Sequence, residues 1–136
     1  MPSTVEPEYT GLISFGGFAR GVQVPHEPGT QHMIFGKRAF FGYLVRADGE
    51  IFWFGNHDYP GKPTRQELQS IPQREWRRQL NELYHDEQPH VMNIIRATQG
   101  DIGVYPIYDM ISAPAWYRDS AVLIGDAIHA VSPNAG

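Results

Sequence analysis

The sequence predicts an α+β fold in which a mostly antiparallel sheet carries helices on one face. Three observations support this prediction. Aromatic and β-branched runs cluster in the first half of the chain, two segments with helical periodicity follow, and strand-like runs come after them. Strands that precede helices, with a hairpin among them, are typical of α+β proteins rather than of folds in which strands and helices alternate.

The first strands are separated by glycine and proline. Tyr9–Phe15 alternates like a strand, and Gly16-Gly17 is expected to close it. The segment Val24–Thr30 contains two prolines and a glycine, so it is predicted to be a loop. A second strand follows at Met33–Phe35.

The strongest local signal is a hairpin. Ala39–Arg46 and Glu50–Asn56 are both rich in aromatic and β-branched residues, and Asp48-Gly49 lies between them. Asp-Gly between two such runs is a preferred hairpin turn, because its residues tolerate positive φ. The hairpin is therefore expected near the centre of the sheet.

Both faces of this hairpin are apolar. Alternation places Phe41, Tyr43 and Val45 on one face, and Phe40 and Leu44 on the other. A sheet with two apolar faces must cover both of them, and the predicted helices can cover one. The second face either packs against further protein or walls a pocket for a flat apolar ligand. The two alternatives are compatible, since pockets often lie between a sheet and a neighbouring domain.

Two helices and a short helical turn are predicted in the middle of the chain. Thr64 and Glu67 have the spacing of a capping box, which starts a helical turn. The first full helix carries an apolar stripe at positions i, i+4, i+7 and i+8, formed by Trp76, Leu80, Leu83 and Tyr84.

Asp86 is expected to cap the second full helix, with Pro89 in its first turn. Its buried face is predicted to consist of Val91, Ile94 and Ile95, and Gly100 is expected to end it. Ile102–Tyr108 then alternates like a strand.

Composition excludes several classes of function. The 136 residues carry a net charge of −4, and their 11 Lys and Arg residues form no run, so nucleic acid and anionic membranes are not expected partners. There is no cysteine and no pair of histidines with HxxxH spacing, so no metal site is expected. The N-terminal residues contain no apolar run, and the cytoplasm is the expected location.

The most informative segment is at the end of the chain. Ala121–Ile124 is predicted to be a short buried strand that delivers Gly125 and Asp126 at its carboxyl end, where ligands bind in α/β folds. Glycine permits close backbone approach, and the carboxylate can accept hydrogen bonds from sugar hydroxyls. The turn at Pro133–Gly136 is expected to lead into another helix, whose N-terminus favours an electron-rich ligand edge.

This segment resembles the second flavin-binding motif of the class A FAD-dependent monooxygenases, of the para-hydroxybenzoate hydroxylase type. The motif combines an apolar strand with Gly-Asp-Ala, then His, Pro and Gly at set spacings, which match Gly125, Asp126, Ala127, His129, Pro133 and Gly136. Looser matches in the expected order extend the resemblance over most of the chain, to the family's substrate-binding domain.

The resemblance implies an enzyme that uses FAD, NAD(P)H and O2 to hydroxylate an aromatic or polycyclic small molecule. Asp126 would bind the ribityl chain, and Gly125 would let the backbone lie against the cofactor. His129 and Pro133 would lie near the isoalloxazine ring, and Gly136 would begin a turn at the N1–C2=O edge. The alternative for His129 is an ordinary packed histidine. The resemblance assigns no catalytic residue.

The same resemblance implies a division at residue 118, with a substrate-binding domain at 1–118 and a truncated part of the FAD-binding domain at 119–136. No Gly-x-Gly-x-x-Gly follows a strand, so the family's N-terminal dinucleotide-binding unit is expected to be a missing partner. The chain alone is therefore expected to be inactive. A second possibility is a non-enzymatic domain that binds an apolar ligand or a partner chain.

Overall fold

The computed structural model describes residues 5–132. The strands in this range are β1 (Glu8–Ala19), β2 (Gln31–Phe35), β3 (Phe40–Val45), β4 (Ile51–Asp58), β5 (Thr98–Asp109), β6 (Tyr117–Arg118) and β7 (Ala121–Val122). The helices are α1 (Arg65–Ser70), α2 (Gln73–Tyr84), α3 (Pro89–Arg96) and α4 (Asp126–His129).

The chain forms two compact units. The larger comprises Leu12–Pro106, and the smaller comprises the residues up to Gly11 together with those from Ile107 onward. These divisions fall inside β1 and β5, away from residue 118. The boundary at residue 118 divides the chain by expected function rather than by compactness, and it stays a prediction.

The α+β prediction is confirmed. Five strands form an antiparallel sheet in the order β2-β3-β4-β1-β5, so the predicted hairpin supplies its centre. Val45 pairs with Ile51, and the turn between them is closed by Arg46 N donating to Glu50 O at 2.8 Å. Gly49 has φ +85°, the left-handed conformation that this turn requires.

The first strand is longer than predicted. Gly16 and Gly17 do not close β1; they lie inside it, paired with Phe54 and Trp53 of β4. A Cβ on Gly17 would lie 2.7 Å from Thr98 Cγ2, so glycine is needed here for close packing rather than for a turn.

The helix-covered face of the sheet forms the core. The apolar stripe of α2 is confirmed, because Trp76, Leu80 and Tyr84 are buried against this face. Tyr84 donates its hydroxyl proton to the Phe40 carbonyl at 2.5 Å, which ties the helix to the hairpin. Burial raises the pKa of Tyr84 far above its usual value, so the hydroxyl stays protonated.

Two details of the helices differ from prediction. The capping box of Thr64 and Glu67 is present, but Asp86 does not cap α3; its carboxylate accepts from Arg38 at 2.6 Å. The chain reaches α3 through Gln88, so Asp86 lies too early to cap it. Gly100 does not end α3 either, since the helix stops at Arg96 and Gly100 lies within β5.

Candidate functional site

The sheet face opposite the helices carries a continuous row of five phenylalanine rings. The row crosses four strands of the larger unit, and its successive ring centroids are 5.3, 5.7, 5.8 and 5.4 Å apart. In order, its members are Phe18, Phe52, Phe54, Phe40 and Phe35. We call this set the aromatic row. Such spacing is that of favourable ring–ring contact.

A glycine lets one ring of the row lie close to the sheet. A Cβ on Gly42 would lie 2.5 Å from the ring of Phe54, so this ring lies directly over the glycine backbone. Phe52 and Phe54 are nearly parallel, with 27° between their planes. Glycine at position 42 therefore lets the Phe54 ring lie close to the sheet, where a larger residue would displace it.

The row remains accessible to solvent in the described structure. Phe35 is 84% exposed and Phe18 is 48% exposed. Met33, two residues before Phe35 on β2, is 55% exposed. An apolar patch of this extent on a folded domain marks a binding or packing surface.

Charged groups are confined to the two ends of this face. At one end Arg20 pairs with Asp48 and Glu50, at 3.3 and 3.1 Å. At the other end lie Asp58, the last residue of β4, and Lys37, in the turn between β2 and β3. Between these ends, the positions that alternation places on this face of β1 to β4 hold no ionisable side chain. The middle of the face therefore favours an uncharged group, since a charge would lose its water there without a counter-ion.

A cavity of about 250 Å³ opens at the Phe35 end of the aromatic row. Its lining includes Lys37 and Asp58 as well as His57. His57 is partly buried in this lining. It belongs to β4, and burial lowers its pKa. The cavity therefore places polar groups beside one end of an apolar surface.

The Gly-Asp segment lies in the smaller unit. Ala121–Val122 forms β7, which pairs with β6 as a two-stranded ribbon. The prediction of a buried strand is wrong for this structure, because Val122 and Ile124 are 66% and 76% exposed. A two-stranded ribbon cannot bury both of its faces, so its apolar side chains remain open.

Gly125 and Asp126 follow this ribbon after Leu123 and Ile124. Gly125 has φ +59° and ψ −143° and immediately precedes α4, in which Asp126 is the first residue. No heavy atom lies within 4 Å of the position that a Cβ on Gly125 would occupy, and the Asp126 side chain is exposed. The turn therefore presents an open backbone and an accessible carboxylate to solvent.

Two other matched positions, Ala127 and His129, lie in α4. Ala127 lines a mostly apolar cavity of about 340 Å³, next to the buried Ile128. His129 is exposed rather than packed, with its ring 6.4 Å from that of Trp116. The predicted positions Pro133 and Gly136 lie outside the described residues.

Two further findings concern residues 5–132. No group of three or more His, Asp or Glu side chains in this range is arranged to hold a metal ion. None of the helices in it is long and apolar enough to cross a bilayer.

Comparison with known structures defines the class of fold. The chain matches HpxO of Klebsiella pneumoniae, solved with FAD and uric acid, at a TM-score of 0.76 with 17% identity, over 99% of this chain and 33% of that one. It matches a salicylate hydroxylase substrate complex at 0.69 with 15% identity, over 94% and 34%. The fold is that of the substrate-binding portion of class A FAD-dependent monooxygenases, which confirms the resemblance seen in the sequence.

Relatives found by sequence show which enzymes this chain is similar to. The chain is homologous to part of the chloroplastic zeaxanthin epoxidases. It is 29% identical to that of an Oncidium hybrid cultivar over 96% of this chain, and 24% identical to that of Arabidopsis thaliana over 96%. It spans only 19% of the length of each of these relatives. No protein-family model matches the chain.

Proposed function

We propose that this chain is the substrate-binding part of an FAD-dependent monooxygenase that acts on a flat, uncharged aromatic or polycyclic molecule, with NAD(P)H and O2 as co-substrates. The observation that supports this most directly is the accessible Gly125-Asp126 turn, in a chain homologous to epoxidases and folded like FAD complexes. We propose the cytoplasm as its location, although the relatives' names place them in chloroplasts.

In this proposal FAD supplies the redox chemistry, and the chain's residues bind and orient it. The exposed Asp126 carboxylate accepts hydrogen bonds from the ribityl hydroxyls. Gly125 lets the cofactor approach the backbone, because it presents no side chain. Ala127 would close the apolar side of the turn, and His129 would lie near the ring system.

The aromatic row is proposed to bind the substrate. Flat π-systems stack on aromatic rings, and the row offers five of them with no charge between its ends. A substrate that covers these rings also removes water from them, so binding is stabilised by burial of apolar surface. Polar substituents would be placed at the cavity beside Lys37 and Asp58.

A non-enzymatic binding domain is the second candidate. The exposed aromatic row favours it, since such a face is sufficient to hold an apolar ligand or a partner chain. A non-enzymatic binding domain gives no role to the exposed Asp126, which follows a glycine with positive φ. We therefore prefer the monooxygenase.

Flavin reconstitution separates the two candidates. The complete polypeptide that the gene encodes should retain FAD after removal of excess cofactor. It should also oxidise NAD(P)H faster when a polycyclic substrate is added. The 136-residue chain alone should retain little, because FAD is gripped along its whole length and its pyrophosphate needs a glycine-rich turn. A gene product without a flavin spectrum at saturating FAD would refute the monooxygenase.

Removing one ring tests the substrate surface. Phe52→Ala should weaken binding of a neutral polycyclic probe such as pyrene by about fivefold to tenfold, because one stacking contact of about 1 kcal/mol is lost. Quenching of the probe's fluorescence gives the affinity. Tyr117→Ala is the control, since Tyr117 is also an exposed aromatic residue, 76% exposed, but lies in the smaller unit. Equal losses in both variants would show that the probe binds unspecifically.

A further inference from the structure

Three histidines that are distant in the sequence meet at one place in the larger unit. His26 comes from the segment between β1 and β2, His32 from β2, and His90 from the first turn of α3. The rings of His26 and His32 are stacked with centroids 3.5 Å apart, and His90 meets His26 edge-on at 6.0 Å. We call these three residues the histidine cluster.

A buried tyrosine anchors the histidine cluster. Tyr43 of β3 is completely buried, and its hydroxyl is hydrogen-bonded to Nδ1 of His26. Its ring stacks on His32 with 5.1 Å between centroids and meets His90 edge-on at 5.7 Å. Burial raises the pKa of Tyr43, so the hydroxyl stays neutral and cannot act as a counter-ion.

Two nitrogens of the histidine cluster have no hydrogen-bond partner. Nε2 of His32 and Nε2 of His90 are buried, and no acceptor or donor within the described residues reaches them. A neutral imidazole can leave an unprotonated nitrogen without a partner, whereas an imidazolium carries a proton on both nitrogens. A second proton on either ring would thus be buried without an acceptor, which is costly.

The charged groups around the histidine cluster do not stabilise a protonated ring. Glu27 on the same segment is exposed, and the Glu87 carboxylate that precedes α3 accepts from Lys37 N at 2.9 Å. Burial lowers the pKa of His32 and of His90, and the neighbouring imidazoles lower both further.

We propose that the histidine cluster is a pH-sensitive latch, which holds the segment between β1 and β2 against β3 and α3 when neutral and releases it when protonated. A second proton on His32 would be buried without an acceptor, against the His26 ring whose centroid is 3.5 Å away, so protonation of His32 favours separation of the two stacked rings. β2 is the edge strand of the sheet and carries Met33 and Phe35 on its other face. Release therefore also loosens the outer end of the aromatic row.

The direction of the pH effect follows from the lowered pKa values of His32 and His90. Below pH 6.5, the ordinary pKa of histidine, the unfolded chain binds protons at His32 and His90. In the folded chain both residues stay neutral until a lower pH. The contribution of the latch to stability is therefore fully present above pH 6.5. It is lost as the pH falls from there toward the lowered pKa values. This inference does not depend on the proposed enzymatic activity.

Amide hydrogen exchange on the 136-residue chain tests the latch. Between about pH 7.5 and about pH 5, and after correction for the intrinsic exchange rate, protection of residues 22–35 should fall by about tenfold or more. Protection of β4 should fall less, because β4 is the central strand. In His32→Phe, which keeps a ring in the stack but cannot titrate, the loss should shrink to about threefold or less.

His85→Gln is the matched control, because His85 is an exposed histidine outside the cluster. It should show the same pH response as the unmodified chain. Equal losses in His32→Phe and His85→Gln, or unchanged protection across the pH range, would overturn the proposal. Direct NMR titration of the unmodified chain provides a test that needs no variant: His32 and His90 should titrate below 6.5, and ordinary values for both would also overturn it.

Discussion

Trp53→Ala is expected to lower the free energy of unfolding by about 3–5 kcal/mol, the usual cost of removing a fully buried large aromatic side chain. Trp53 is completely buried in the central strand and stacks on Phe41, with 5.6 Å between ring centroids. Its indole N–H donates to the Thr98 hydroxyl at 2.9 Å, which joins β4 to β5. The substitution therefore creates a cavity and removes a buried hydrogen bond that links two parts of the sheet.

Phe52→Ala is the matched control, because the same strand presents the neighbouring residue to the opposite face. Phe52 is 36% exposed, so its truncation removes less buried apolar surface and should cost about 1–2 kcal/mol. Urea unfolding followed by far-UV circular dichroism gives both values. Equal destabilisation by the two substitutions would mean that the face opposite the helices is as well packed as the core, and would remove the argument for a binding surface there.

The parts of the fold that the sequence predicts correctly depend on local periodicity. The α2 stripe was predictable because Trp76, Leu80 and Tyr84 recur at helical spacing, and such spacing determines which face a helix buries. The Asp48-Gly49 turn was predictable because its conformation requires a residue that tolerates positive φ. Neither feature depends on distant contacts.

The features that were missed depend on contacts between distant residues. The sequence predicts that Gly16 and Gly17 end the strand. Glycine is instead needed at position 17 because Thr98, 81 positions later, packs against its backbone. The histidine cluster could not be foreseen, since His26 and His90 share no motif and meet only when α3 packs on the sheet. Asp86 was expected to cap α3, but α3 begins after Gln88, and the Asp86 carboxylate pairs with Arg38, which lies 48 positions earlier.

For the candidate site, the motif points to Gly125 and Asp126, whose role in flavin binding stays a prediction. The alternation of the hairpin predicted a second apolar face. Alternation did not predict that the rings form a continuous row, because the row also needs Phe18 and Phe35 from the flanking strands. Strand order, which local sequence does not encode, brings them into line.

Asp126→Ala in the complete gene product is expected to weaken FAD binding by about tenfold to a hundredfold, the effect of losing one or two hydrogen bonds to a charged group. The reason lies in the turn itself. Asp126 follows a glycine whose φ of +59° directs the chain into α4, and its carboxylate is exposed. Stability should change little, because the Asp126 side chain is exposed.

Fluorescence titration of the apoprotein with FAD measures the effect, and two further variants separate its causes. Asp119→Asn removes an equally negative side chain from the same unit, at a residue with φ +53°, which asparagine tolerates. It should leave the affinity unchanged, because any effect of net charge alone would appear there as well. Asp126→Asn keeps an acceptor oxygen and should lose less affinity than Asp126→Ala, since a neutral acceptor forms weaker hydrogen bonds than a carboxylate. Unchanged affinity in Asp126→Ala would rule out the carboxylate as a ligand of the ribityl chain, and with it the residue assignment taken from the flavin motif.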